Sequence, residues 1–320
     1  VIFLKEKNIY RSIAKHQNIV IARHIGPDPD AIASQTALRD SIKLTFPKKN
    51  VYAVGIGVSR FKYYGLLDKI DEQTLDNPLL IVLDVPNISR IDGVNFSYYK
   101  DVIKIDHHPF EDEMGKLEIV DVNSSSTSEL ITDLINNTRL KMDEKIAGNL
   151  YLGIVADSDR FLLPTTTPRT LYLSSKLIND YNLDIKILYS KLYERPLAEF
   201  RFQAFIALNM TVTENGFGYI KLTDDMIKEY NVDAGSASNM VNNFNYIKEL
   251  LAWAFVSYDE KQELFKVNIR SRGPVINDIA SKYNGGGHKY ASGARIPSDE
   301  EVDALFNELD EACKNYKTQE

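Results

Sequence analysis

The stretch Ile103-Lys104-Ile105-Asp106-His107-His108-Pro109 closes an alternating apolar run with one acid, two adjacent histidines and a proline. Period-two alternation of β-branched residues predicts a strand, and the proline forbids its regular continuation. Three ionisable side chains at one strand end need a purpose. In a parallel sheet that purpose is usually a ligand, because ligands bind beyond the carboxyl ends of the strands. The neighbouring segments therefore decide the fold.

Asn18–His24 (NIVIARH) reads as a buried strand, and the following DAIASQTALRDSIKLTF carries Ile32, Leu38 and Ile42 at helical spacing. VYAVGI and PLLIVLDV are further β-branched runs bounded by polar or proline-containing turns. Alternating strands and helices predict a parallel α/β sheet with helices on both faces. Residues Ser124–Ile135 begin a helix in which Ser126 and Glu129 fit a capping box, with phosphate contact as the alternative use of the serine run. A second helical pattern, DEKIAGNLYLGIVAD, ends near Asp157. In the second half, GFGYIKL, LLAWAFVSYDE and LFKVNIRSR read as strands, the last two forming a hairpin around Asp259-Glu260. This half predicts a smaller α/β domain.

The chain has 320 residues, enough for two domains of ordinary size. Its 44% hydrophobic and 26% charged residues are those of a soluble globular protein. One cysteine, Cys313, allows no intramolecular disulfide and suits a reducing, cytoplasmic setting. The apolar patch near Val1 is too short for a signal segment, and no run approaches the roughly 18 apolar residues of a membrane span. Net charge is −7 with no polybasic tract, which argues against a protein that tracks long or duplex nucleic acid. Short anionic substrates remain compatible, since bound cations add positive charge that composition omits.

Four of the five histidines, His24, His107, His108 and His288, lie at predicted strand ends or in a glycine-rich segment. His24 opens HIGPDPDA, whose spacing puts an imidazole and two carboxylates, Asp28 and Asp30, in one loop. Pro27 and Pro29 favour extended backbone before them, which would aim Asp28 and Asp30 the same way. The competing reading is an acidic turn with Asp30 as a helix cap. Asp84 ends an apolar strand, as a cap or as a ligand. In an extended chain His107 and His108 face opposite sides, so one could ligate a metal while the other faces substrate, with Asp106 orienting its neighbours. Asp157 sits at a helix C-terminus, where the macrodipole disfavours an acid. Imidazole and carboxylate donors without cysteine suit manganese, magnesium, iron, cobalt or zinc. Six such residues exceed one tetrahedral site and match a pair of ions about 3.5–4 Å apart, a clamp for phosphoryl hydrolysis.

Gly285-Gly286-Gly287-His288 lets backbone approach an anion closely, or forms a structural turn. Arg270 and Arg272 end a strand and are either phosphate contacts or exposed strand-end residues. Tyr283 and Tyr290 are read as packing residues rather than base-stacking platforms.

HIGPDPDA, LDVPN, IDHHP and GIVADSDRF resemble, in order, the four motifs of the DHH phosphoesterases, and GGGHKYASGA resembles the signature of the associated DHHA1 domain. The resemblance spans nearly the whole chain and is strongest to short members that degrade nano-RNA and pApA and dephosphorylate pAp. It implies a DHH catalytic domain over 1–185, a linker over 186–198 and a DHHA1 substrate-binding domain over 199–320. It further implies that His24 and Asp28 hold one manganese ion, Asp30 and His107 the other, that Asp84 bridges them and that Asp157 completes the set. Asp84, Asp106 and His108 would be catalytic, with His108 facing the scissile phosphate. Arg160, Arg270, Gly285, Gly286, Gly287 and His288 would bind short RNA or dinucleotide substrates. The fourth motif departs from the family's usual D-T-G-R-F, with Asp159 in place of glycine. Cyclic di-AMP hydrolysis, a pyrophosphatase and a non-catalytic nucleotide sensor are the alternative functions. A homodimer is left open, since no apolar stripe identifies an interface.

Overall fold

The computed structural model describes residues 2–260 and 262–318, which fall into two compact units, Val1–Glu194 and Arg195–Glu320. The first unit runs α1 (Ile2–Lys15), β1 (Asn18–Ala22), α2 (Pro29–Thr45), β2 (Asn50–Ala53), β3 (Leu79–Leu83), β4 (Asp101–Asp106), β5 (Leu117–Val120), α3 (Thr127–Asn136), α4 (Glu144–Asp157), α5 (Pro168–Tyr181) and α6 (Ile185–Tyr193). Its strands are all parallel in the order β2-β1-β3-β4-β5. That order reverses between β1 and β3, so a crevice opens beyond their carboxyl ends. The residues following β1, β3 and β4 are the ones the motifs single out.

β1 and β3 are buried at every position, so adjacent residues serve different cores. Ile19, Ile21, Leu79, Ile81 and Leu83 pack with α2, α3 and α4 through residues such as Leu38, Ile131 and Leu150. Val20, Ala22, Leu80 and Val82 face the opposite layer, which holds Val85, Tyr99 and Met114 with partly buried Leu75, Ile91 and Phe96. The helices expected on both faces thus pack on one. The other is closed by 3₁₀ turns and irregular chain, including Glu72–Thr74, Ile88–Arg90 and Phe96–Tyr98. The connections on that side are punctuated by Gly65, Pro78, Pro86 and Gly93, which disfavour helix.

The expected linker over 186–198 is largely helical. α6 buries Leu188 and Leu192 in the first unit's core, and the change of unit falls between Glu194 and Arg195, inside the expected 186–198 segment. The apolar spacing of that helix holds it to the first unit.

The second unit contains α7 (Leu197–Asn209), β6 (Thr211–Val212), β7 (Phe217–Leu222), α8 (Asp224–Glu229), α9 (Ala234–Asn239), β8 (Ala252–Asp259), β9 (Leu264–Ser271), α10 (Asn277–Ser281), β10 (Gly286–His288), β11 (Ala291–Ile296) and α11 (Asp299–Lys317). The sheet order is β10-β11-β9-β8-β7-β6, antiparallel except for β7 beside β8. α10 and α11 cover one face through Ala280, Leu305 and Leu309. α7 to α9 cover part of the other through Phe202, Ile227 and Ala237, against Trp253 and Phe255.

Candidate metal centre

The chain leaves β1 at Ala22, and the buried Arg23 side chain donates to the carbonyls of His24 (2.9 Å) and Ile56 (2.6 Å) and to Asp92. His24 also forms an isolated bridge with Ile91. These contacts fix the imidazole at the mouth of the crevice. Asp28 is the N-cap of α2: its backbone is extended, with φ −92° and ψ −178°, and Oδ1 accepts from the Ala31 amide at 2.9 Å. Its Oδ2 lies 3.7 Å from His24 Nε2. Asp28, not Asp30, is therefore the cap, and the two carboxylates do not share a direction. Proline at the first helical position starts the helix at Pro29, so period-two alternation ends between them.

Asp30 is buried and points instead at the start of α3. Its Oδ2 accepts from the Thr127 amide at 2.8 Å and its Oδ1 from the Ser128 amide at 2.9 Å. Gly153 makes room for this. A Cβ there would stand 2.0 Å from Ser128 Oγ and 2.9 Å from Asp30 Oδ1, so only glycine lets α4 approach α3 so closely.

Asp84 follows β3 with φ +61°, a left-handed conformation uncommon outside glycine, and is 1% exposed. Its Oδ2 lies 3.5 Å from His24 Nε2, while Oδ1 lies 3.5 Å from both His107 Nε2 and His108 Nδ1. One carboxylate thus faces two groups of donors. His107 Nε2 is also 3.2 Å from Asp157 Oδ2. His108 Nδ1 and its amide both reach Asp106 Oδ1, at 2.8 and 3.2 Å. The two imidazoles do not diverge as extended alternation predicts, because strand pairing stops at Asp106 and both rings turn toward Asp84.

Ligand-type atoms gather in three overlapping groups, each within 4.8 Å: His24, Asp28 and Asp84; Asp30, His107 and Asp157; and Asp84, His107 and His108. Their electrostatics show a deficit of positive charge. Burial, aided by the neighbouring Asp84, pushes Asp30 up to about 7. Burial, with Asp30, Asp28 and Asp84 close by, lifts Asp157 well above the carboxylate range. For His24 burial opposes protonation, but Asp28 and Asp84 outweigh it and push the imidazole up to about 10. Acids that hold protons and a histidine that cannot release one are what close carboxylates do without a cation between them. The donors, nitrogen and oxygen only, fit divalent ions of hard to borderline character.

The fourth motif ends α4 in a left-handed run: φ is +44° at Asp159, +63° at Arg160 and +67° at Phe161. Glycine suits the first of these positions, and aspartate is among the side chains that tolerate it. Asp159 pairs with Arg160 at 2.7 Å, and the Arg160 guanidinium lies 5.5 Å from the Tyr193 ring centre.

In the second unit the expected glycine loop is mostly strand. Gly286–His288 form β10, paired antiparallel with β11. A Cβ on Gly285 would lie 2.1 Å from the Gly293 carbonyl oxygen and one on Gly287 2.5 Å from that of Ala291, so strand contact explains both glycines, whereas Gly286 faces open space. Arg270 pairs with Ala291, which pairs with His288. Residues directly paired across strands share a face, so Arg270 and His288 form one row, roughly 10 Å apart at two strand spacings. Arg270 is braced by Asn242 Oδ1 at 2.8 Å, and Arg272 donates to the Lys248 carbonyl at 3.3 Å. Tyr283 packs at the core and donates to Glu308 at 2.8 Å, whereas Tyr290 is exposed.

Thr127, Ser128 and Gly153 are site residues that sequence reasoning missed. For Thr127 and Ser128 the serine run is the visible signal, and it reads first as a helix cap, which Ser126 does form; Gly153 carries no such signal.

The fold and this cluster define a two-unit α/β phosphoesterase framework with a group of acidic and histidine residues that could bind metal ions, and the chain belongs to the DHH family. The description "DHH family, N-terminal domain" matches residues 18–154, and "DHHA1 domain" matches 216–315. The chain is 38% identical over 97% of its length, and 99% of the relative's, to "Bifunctional oligoribonuclease and PAP phosphatase NrnA" of Bacillus subtilis. It is 34% identical to the probable enzyme of that name from Streptococcus mutans, over 96% of this chain and 99% of that one. Among solved structures, an exopolyphosphatase-related protein from Bacteroides fragilis has the same fold, with a TM-score of 0.86 at 24% identity, covering 98% of this chain and 97% of that one. No helix among the described residues is long and apolar enough to cross a membrane.

Proposed function

We infer that this chain is a phosphoesterase that hydrolyses short oligoribonucleotides to mononucleotides and removes the 3′-phosphate of pAp. His24, Asp28, Asp30, Asp84, His107 and Asp157 hold two divalent ions, with manganese the expected metal. The observation that carries this reading is Asp84, whose two carboxylate oxygens face different histidines at 3.5 Å. Similarity over almost the full length to named oligoribonuclease and PAP phosphatase enzymes supports the substrate class.

When bound, such ions acidify a water molecule and stabilise charge on phosphoryl oxygens. The protein's own part is positioning. The His24–Asp28 and His107–Asp157 pairs present nitrogen and oxygen donors on either side of Asp84. Asp106 holds His108 through Nδ1, an orientation that suits the imidazole to meet the substrate's phosphoryl group. In the second unit, Arg270 and His288 offer donors on one sheet face for a terminal phosphate, and Gly286 lets that phosphate approach the backbone. Arg160 is assigned to substrate binding more weakly, since Asp159 already engages its guanidinium.

The test is product release from 5′-labelled RNA of two to about ten nucleotides, with pAp, cyclic di-AMP and pyrophosphate alongside, in manganese and with chelator. Cleavage of short RNA and pAp that needs the metal supports the reading. Turnover confined to cyclic di-AMP or pyrophosphate, or tight nucleotide binding without product, overturns it.

A further inference from the structure

The serine-rich segment before and into α3 touches three of the six candidate ligands, and its contacts fall on one side of Asp84. The Ser124 carbonyl lies 3.4 Å from His107 Nδ1. A carbonyl can only accept, so this contact puts the proton on Nδ1 and leaves the Nε2 lone pair, which faces Asp84 and Asp157, available for a ligand. Thr127 makes two further contacts: Oγ1 donates to Asp84 Oδ1 at 3.0 Å and the amide donates to Asp30 Oδ2 at 2.8 Å. The Ser128 amide takes the other oxygen of Asp30 at 2.9 Å.

The segment is itself braced from behind. Buried Glu129 accepts from the Ser125 amide (3.0 Å), the Ser125 hydroxyl (2.6 Å) and Thr170 Oγ1 of α5 (2.9 Å). Ser126 caps the helix by accepting from the Glu129 amide at 3.0 Å. Thr127 and Ser128 are fully buried, so neither has water as an alternative partner.

We propose that Thr127 is a positioning residue that acts mainly on one of the two ions: it holds Asp84 Oδ1 and Asp30 on the His107–Asp157 side and reaches the His24–Asp28 side only through the shared Asp84 carboxylate. The proposal rests on the reading of the six residues as ligands. Its hydroxyl takes one lone pair of Asp84 Oδ1 and so sets the direction of the other. Its amide does the same for Asp30. Partners of this kind orient metal ligands, and their loss typically weakens metal binding by about 10–100-fold.

The experiment is titration of the metal-free protein with MnCl₂, following bound ion by calorimetry and by electron paramagnetic resonance, for wild type, Thr127→Val and Thr127→Ser. The expected result is two binding steps in wild type, one of them weakened about tenfold or more in T127V and restored in T127S, with the other step weakened less. Unchanged steps in T127V, equal weakening of both, or a T127S protein as impaired as T127V overturns the proposal. If T127V does not fold, Thr127→Ala carries the same comparison, because it also removes the hydroxyl and keeps the amide. Wild-type protein that binds no manganese sinks the ligand reading instead. Two normal steps with no hydrolysis of RNA or pAp sinks the substrate reading alone.

Discussion

In the first unit His24, Asp30 and Asp84 are buried, Asp28, His107 and Asp157 lie at the rim, and the set is braced by backbone amides, other side chains and one another. In the second, Arg270 and His288 stand in one row across a sheet, on strands either side of β11, His288 exposed and Arg270 half-buried. Asp30 has both oxygens taken by amides, whereas Arg270 is held by a single asparagine and its neighbour's carbonyl. Chemistry at phosphorus demands fixed donors, since an error of about 1 Å costs orders of magnitude in rate. Holding a phosphate tolerates looser support, because a charge-assisted contact keeps much of its strength over a range of geometry. The contrast predicts that substitutions in the first unit act on turnover and those in the second on affinity.

The comparison breaks most sharply at Asp84. Asp84→Asn keeps the shape and removes the charge shared between the two donor groups, and turnover on a dinucleotide should fall by about 10³-fold or more with circular dichroism unchanged. Near-normal turnover would remove the bridging role. Gly153→Ala comes next. The new methyl overlaps Ser128 and Asp30, so melting should show a loss of about 1–3 kcal/mol together with weaker manganese binding. A protein of wild-type stability would mean that α3 and α4 separate without cost.

In the second unit, Arg270→Ala and His288→Ala should raise KM for a 5′-phosphorylated dinucleotide about tenfold or more while kcat changes little. If kcat falls instead, these residues belong with the chemistry and the contrast fails. Asp159→Gly should leave the manganese stoichiometry unchanged and shift stability by less than about 1 kcal/mol, because relief of the left-handed backbone is offset by the chain entropy of glycine. Loss of an ion in that variant would make Asp159 a ligand.

The smallest effect is a control remote from both regions. Burial raises the pKa of Asp40, but Arg39 at 2.7 Å and Lys145 at 2.9 Å outweigh it and hold the carboxyl below its ordinary value. Its contribution is therefore present above the unfolded-state pKa and is lost as pH falls through the depressed folded value. Asp40→Asn should cost about 0.5–1 kcal/mol at pH 7, discounted for the exposed lysine, and the gap to wild type should close in acid. A gap that widens in acid would reverse the sign.

The strand ends carrying His24, Asp84 and His107 were legible because fully buried strands read as unbroken β-branched runs, and a run that stops on acids or histidines marks its own carboxyl end. The hairpin of β8 and β9 was legible for a similar local reason. Coverage of the second sheet face was not, since irregular chain that packs well has no period to detect. Nor was β10, whose glycines read as a flexible loop until the carbonyls of Ala291 and Gly293 stood against them.

The sequence by itself determined the donor chemistry, the strand ends that carry it and the division into two domains, because side-chain type and apolar patterning are local properties. Only the tertiary structure decided where each carboxylate points. Asp30 turns to α3 because two backbone amides wait there, and amides look the same whatever residue bears them. His107 and His108 converge because pairing stops one residue earlier. Arg270 and His288 share a row because of strand register. All three depend on segments distant in the chain meeting in space.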